Sequence, residues 1–245
     1  MELYAAMVEN LDHHVGRLID HLKERGLFEN TLIIFMSDNG AAAEDFYNRT
    51  NYARYVQAHY DNAYENMGKP GSWVSYGPQW AEAGSAPFRR HKGFTHEGGI
   101  VAPFIAAGAG VAARGQINGS YLTVMDLAPT FIELAGGQYP VDGSVRPMLG
   151  ESAVGLLRGE VQSAHDESYT TTLFHSGRAL FRQGKWKLVT LDRPFDESNF
   201  ELYDLETDPG ETNNLVTVEP QKYQELIALW RAQRREMGIV LPGDL

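Results

Sequence analysis

Apolar residues at Leu3, Met7, Leu11, Val15, Leu18 and Leu22 recur every three to four positions, which lines them along one face of a helix. Gly26 stands where that helix would end. The run Thr31 to Met36 is short, β-branched and apolar on both faces, the pattern of a strand in a sheet covered on both sides. Helix, short connection and buried strand predict an α/β opening. Ser37-Asp38-Asn39-Gly40 follows at once, so polar groups are expected at the carboxyl end of the strand, the edge where open α/β sheets bind ligands.

From Ala41 to Arg90 the periodicity is lost, while Tyr52, Tyr55, Tyr60, Tyr64, Trp73, Tyr76 and Trp80 accumulate among Gly and Pro. This reads as a long loop, ordered by its aromatic side chains. A second buried strand is predicted from Gly99 to Ala107. A helix follows from Met125 to Leu134, with Pro129 near its first turn and Gly136-Gly137 ending it.

Past about Pro147 the texture changes to short strands, Ser168 to Phe174, Ala179 to Arg182, Lys185 to Leu191 and Glu201 to Tyr203, separated by Gly177, Gly184 and Pro194. That spacing predicts an antiparallel sheet. Tyr223 to Met237 predicts a closing helix, with Leu226, Ile227 and Trp230 on one side and Arg231, Arg234 and Arg235 near the end, where they complement the helix dipole. The expected organisation is an α/β part over 1–150 and a small α+β subdomain over 151–245, an antiparallel sheet plus the terminal helix.

Composition narrows the function classes. With 43% hydrophobic residues in 245 the chain can bury a sizeable core. Its 21 basic and 32 acidic residues give a formal charge of -11, which disfavours nucleic acid and anionic membranes. Met-Glu-Leu-Tyr opens no signal peptide, and no apolar run approaches the ~20 residues of a membrane span. A soluble protein is expected, cytoplasmic if the chain is complete. The absence of cysteine removes disulfides, thiolate metal sites and a thiol nucleophile.

Asp38 and Asn39 offer a carboxylate and an amide oxygen side by side, hard donors suited to Ca²⁺ or Mg²⁺; Asp-Asn-Gly also forms a turn for local reasons. Lys92 lies among glycines in Arg89-Arg90-His91-Lys92-Gly93, where it can meet a sulfate or phosphate oxygen or simply face water. His91 and His96 are each a candidate proton donor or a structural histidine. Adjacent His13 and His14 point to different helix faces and receive no role. His165-Asp166 and His175-Ser176 lack a nucleophile-elbow pattern.

Taken together, Tyr4-Ala5-Ala6-Met7-Val8-Glu9-Asn10-Leu11-Asp12, Phe35-Met36-Ser37-Asp38-Asn39-Gly40, Lys92-Gly93-Phe94-Thr95-His96-Glu97-Gly98-Gly99 with Pro103, Gly184-Lys185-Trp186-Lys187-Leu188, and Glu201-Leu202-Tyr203-Asp204 through Asn214-Leu215 resemble the sulfatases of the alkaline-phosphatase superfamily, bacterial arylsulfatases in particular. The resemblance implies part of an alkaline-phosphatase-like sheet with flanking helices, and aryl sulfate hydrolysis. It implies Asp38 and Asn39 as ligands of calcium, with magnesium the second choice. Lys92 would contact the sulfate and help the leaving oxygen depart, with His91 and His96 nearby.

In that family a formylglycine hydrate, made from cysteine or serine in a Cys/Ser-x-Pro/Ala-x-Arg motif, attacks sulfur. With no cysteine here, and with no serine form of the motif expected in the chain, that segment is expected to lie outside this chain, as are the paired aspartates near the family's amino terminus. A separate amino-terminal half or self-association is therefore expected. The alternatives are a non-catalytic metal- or anion-binding fragment, or a phosphate-ester hydrolase.

Overall fold

A computed structural model describes residues 1–48, 51–112, 115–241 and 244. By internal packing the chain forms two compact units, one of Met1–His14, Ser37–Ala102 and Thr170–Leu245, the other of Val15–Met36 and Pro103–Tyr169. The late antiparallel sheet thus shares a unit with the segments that carry Asp38 and Lys92, across the boundary expected near residue 150.

The helix predicted from residue 3 runs from Glu2–Glu24 (α1), and Gly26 follows it at φ 67, a conformation glycine adopts without strain. None of its residues is buried; Met7 is 71% and Leu18 57% exposed, so the apolar stripe is real but uncovered. In the first unit Leu3 packs on Gly68, and Tyr4 stacks on Tyr76 at 4.6 Å. The long aromatic stretch contains two helices that its lack of periodicity hid, Ala53–His59 (α2) and Pro78–Ser85 (α3). Pro78 suits the first turn of α3, where no backbone N–H is needed, and Gly77 enters at φ 78.

The four-stranded sheet of this unit has the order β3-β4-β5-β6, all antiparallel, from Thr170–His175, Arg178–Gln183, Trp186–Val189 and Glu201–Asp204. His175 pairs with Arg178, leaving Ser176 at φ 50 and Gly177 at φ 77. Two central residues at positive φ make the tight turn whose twist matches the strands. The closing helix, Pro220–Glu236 (here α7), lays Leu226, Ile227 and Trp230 against Ala179, Phe181, Leu188, Phe200 and Leu202.

In the second unit, Leu32–Met36 (β1) pairs antiparallel with Phe104–Gly108 (β2) as a two-stranded sheet. Both strands were expected to be buried on two faces. Instead β1 is half-buried throughout, and β2 begins with exposed Phe104 and Ile105. The strand expected from Gly99 also starts later, because Glu97–Ile100 turns as a short helix (α4) before Pro103. Leu127–Leu134 (α5) includes Pro129 in its first turn and ends before Gly136 at φ 66. Val154–Leu157 forms α6. His165 faces Asp126 and Glu151, each 3.0 Å from a ring nitrogen, rather than its neighbour Asp166. Among the described residues no helix is long and apolar enough to cross a membrane.

Candidate functional site

Residues 37–41 and 89–99 both belong to the first unit, and two backbone hydrogen bonds join them. Gly40 N donates to Gly99 O at 3.1 Å, and Lys92 N donates to Ala41 O at 3.0 Å. The approach depends on glycine, since a Cβ on Gly40 would stand 2.2 Å from Gly98 O and 3.0 Å from the Gly98 and Gly99 carbonyl carbons. Backbone atoms cannot swing aside as a side-chain tip can. Gly40→Ala should therefore destabilise the chain by about 1–3 kcal/mol, the usual range for overpacking. Urea denaturation checks this, and an unchanged midpoint would mean that the two segments part freely.

All five residues expected at the site fall on these joined segments, and four of them, Asp38, Asn39, His91 and Lys92, are at least partly open to solvent. Asp38 and Lys92 are exposed, Asn39 and His91 half-buried. Ser37 Oγ donates to Asn39 O at 2.9 Å and steadies the turn. Lys92 Nζ lies 3.8 Å from Glu44 Oε1, with both side chains more than 40% exposed. Such a pair, open to water, holds its ammonium weakly. His91 Nδ1 is 3.1 Å from Lys92 O, and because a carbonyl only accepts, Nδ1 must carry the hydrogen. The His91 ring also stands edge-on to Phe94 at 5.0 Å.

His96 lies apart from these four. Its ring is fully buried, with Nε2 3.7 Å from Glu201 Oε2, an ion-pair distance longer than a hydrogen bond. Of the two roles open to it from sequence, the geometry fits the interior one. The His96 ring, then the Tyr203 hydroxyl that donates to Glu201 at 2.9 Å, hold the Glu201 carboxyl below its ordinary range against the opposing effect of burial.

Sequence reading missed what fastens residues 89–99 to the four-stranded sheet. Arg89 donates to Glu211 O and, at 3.3 Å, to Tyr203 Oη. Arg178 donates to Gly93 O at 3.0 Å while its guanidinium covers the Phe94 ring at 4.0 Å. Thr95 Oγ1 reaches Ala179 O and Thr190 O at 3.2 and 3.3 Å. Lys92 is the exposed residue of a segment otherwise tied down on both sides. Arg178 left a faint signal, a cation placed just after a tight turn and before an apolar strand.

It also missed that Ser85-Ala86-Pro87-Phe88-Arg89 has the serine form of the Ser-x-Pro-x-Arg motif. In the structure Ser85 Oγ donates to Ala81 O at 2.9 Å, the common helical back-bond, and lies 3.3 Å from Gly98 O. Both polar residues of the stretch, Ser85 and Arg89, are thus engaged in packing.

As a cation site, Asp38 and Asn39 have the right donor chemistry and too few donors. Calcium takes about six to eight oxygens, and among the described residues no group of three or more His, Asp or Glu could hold a metal ion.

Comparison with known proteins gives this geometry its context. Residues 1–137 match the sulfatase family, and residues 89–237 match the family described as N-sulphoglucosamine sulphohydrolase, C-terminal. An uncharacterized sulfatase of Schizosaccharomyces pombe is 38% identical over 253 residues, covering 100% of this chain and 45% of its own length. The arylsulfatase of Klebsiella aerogenes is 38% identical over 172 residues, 68% of this chain and 37% of its own. The chain thus spans less than half the length of either relative.

Two solved structures share the fold. One, in complex with its substrate D-glucosamine-2-N,6-O-disulfate, has a TM-score of 0.64 at 21% identity over 95% of this chain and 40% of its own. The other, a sulfatase from Pseudoalteromonas sp., has a TM-score of 0.60 at 23% identity over 95% and 42%. With both halves of its length matched, residues 89–99 within both matches and residues 37–41 within the first, this chain belongs to the sulfatase family of the alkaline-phosphatase superfamily.

Proposed function

We propose that this chain carries part of a site for sulfate-ester hydrolysis, in which Asp38 and Asn39 supply two oxygen ligands to a calcium ion and Lys92 contacts the sulfate. The supporting observation is the pair of backbone hydrogen bonds that zips the Asp38-Asn39 loop to the Lys92 segment, Gly40 to Gly99 and Lys92 to Ala41. A cation ligand and an anion ligand on joined backbones can act on one sulfate group. Lys92, exposed and only weakly engaged by Glu44, can turn its ammonium to a sulfate oxygen or to the ester oxygen as charge develops there. His91, with its hydrogen on Nδ1 toward Lys92 O, keeps Nε2 for exchange with a leaving group. A bound calcium ion would polarise the sulfate.

Both proposed ligands are hard oxygen donors, and Asp38 is the one charge between them. Few charged ligands mean weak binding, on the order of millimolar. Calorimetric titration of the purified chain should give such binding for calcium, weaker still for magnesium, and none for calcium in Asp38→Ala. Tight zinc binding with calcium inert would overturn the assignment.

A further inference from the structure

Lys187 and Glu211 are completely buried and Glu97 is 5% exposed, three charged side chains in the interior of one unit. Lys187 Nζ donates to Glu97 Oε1 at 2.6 Å and lies 2.8 Å from Glu211 Oε1. Glu211 Oε2 accepts the backbone N–H of Glu97 at 2.7 Å, and its carbonyl accepts from Arg89. Arg182 adds a second cation 3.9 Å from Glu97 Oε2. Glu211 itself sits at φ 53, a left-handed conformation that costs a residue with a Cβ and persists only where its surroundings fix it.

Burying such a cluster is expensive, and apolar residues of like volume often give equal or better stability. Stability is therefore a poor account of why these charges converge here, and their placement suggests another. Lys187 comes from β5 in the centre of the sheet, Glu211 from the turn after β6, and Glu97 opens α4, within the 89–99 segment that carries Lys92. Glu97 is also held through its backbone as well as its side chain. The cluster fixes the far end of the 89–99 segment, and the Gly99 carbonyl two residues on from Glu97 receives the hydrogen bond from Gly40.

We infer that Lys187, Glu97 and Glu211 are positioning residues, an ionic clamp that sets the Lys92 segment and, through Gly99, the Asp38-Asn39 loop on the four-stranded sheet. The inference rests on the functional reading above for its purpose, but the clamp has a mechanical consequence that can be read without it. Loosening it should free the two hydrogen bonds between the loops before it opens the sheet. Local opening of this kind appears in amide exchange as a loss of protection confined to the segment.

The test compares the wild-type chain with Lys187→Met, which leaves the two carboxylates with Arg182 as the cation beside Glu97, and with Lys187→Met/Glu97→Gln/Glu211→Gln, which removes the three charges of the clamp while keeping shape. The readout is the exchange rate of the Gly40 and Lys92 amides relative to those of Thr190 and Leu205, which donate within the sheet region to Ala179 O and Lys185 O. The ratio should rise about tenfold or more in both variants, as the loops open while the sheet stays closed. Sulfate and calcium affinities should fall about 10- to 100-fold in the folded triple variant, as when groups behind a ligand shell are removed.

A ratio that stays at the wild-type value would overturn the clamp, whether all four amides remain protected or all lose protection together. If the wild-type chain binds neither sulfate nor calcium, the functional reading fails, and the exchange ratio still decides the clamp.

Discussion

Assayed with a chromogenic aryl sulfate and calcium, the purified chain should turn over about 10⁶-fold more slowly than a complete sulfatase. That is the typical loss when a hydrolase lacks its nucleophile, leaving only binding and electrostatics. Lys92 and a bound cation can stabilise charge as the ester bond breaks, but they need an attacking group in line with sulfur. The chain has no cysteine, and its one Ser-x-Pro-x-Arg stretch has the Ser85 hydroxyl donating to Ala81 O while Arg89 is held by Glu211 and Tyr203. Ser85→Ala should consequently leave the residual rate unchanged. Multiple turnover at a sulfatase-like rate, lost in Ser85→Ala, Lys92→Ala and Asp38→Ala alike, would contradict this and make Ser85 the source of the nucleophile. A rate indifferent to all three substitutions would point to a contaminating enzyme.

Trp230→Ala should cost about 3–5 kcal/mol of stability, the range for emptying a large aromatic from a core. Trp230 is fully buried, with the rings of Phe200 and Phe195 at 5.1 and 5.5 Å and Leu226 and Ile227 beside it on α7. One feature works against it. Its indole Nε1–H has no hydrogen-bond partner among the described residues, and an unsatisfied buried donor carries its own penalty, ~1–3 kcal/mol. Trp230→Phe loses part of the packing and removes that penalty as well, so it should cost less than about half of the alanine loss. Denaturant unfolding of the two variants checks both figures. An alanine loss under about 1.5 kcal/mol would remove Trp230 from the core.

How far the sequence speaks depends on how local each feature is. The helix from residue 3 and the four late strands follow from spacing of apolar side chains and from turn residues, and the structure has them within a few positions. Trp230, Leu226 and Ile227 were legible for the same reason. Burial of the run Leu32–Met36 was not, because an apolar pattern says that a strand can be covered and not by what. Its partner lies some seventy positions on, in Phe104–Gly108. The same holds for α1, whose stripe fixes a helix and leaves Met7 and Leu18 in the open.

Of the residues proposed for the site, Asp38, Asn39, His91 and Lys92 stand out in the sequence as polar residues next to apolar runs, whereas the burial of His96 beside Glu201 leaves no mark there. The clamp was the least visible part. Lys187 and Glu97 stand 90 positions apart and meet only in the fold. The one hint was a lysine set inside the otherwise apolar Trp186–Val189.

The central claim is that the Asp38-Asn39 loop and the Lys92 segment form one site for a cation and a sulfate together. It is tested most directly by measuring sulfate affinity at increasing calcium in the wild-type chain, Asp38→Ala and Lys92→Ala. In one shared site each ligand strengthens the other by the same factor, about 5- to 150-fold for ordinary coupling. Calcium should therefore tighten sulfate binding in the wild type, have no effect in Asp38→Ala, and still bind in Lys92→Ala while sulfate binding is lost. Sulfate affinity that is independent of calcium in the wild type, or unaffected by Lys92→Ala, would contradict the account.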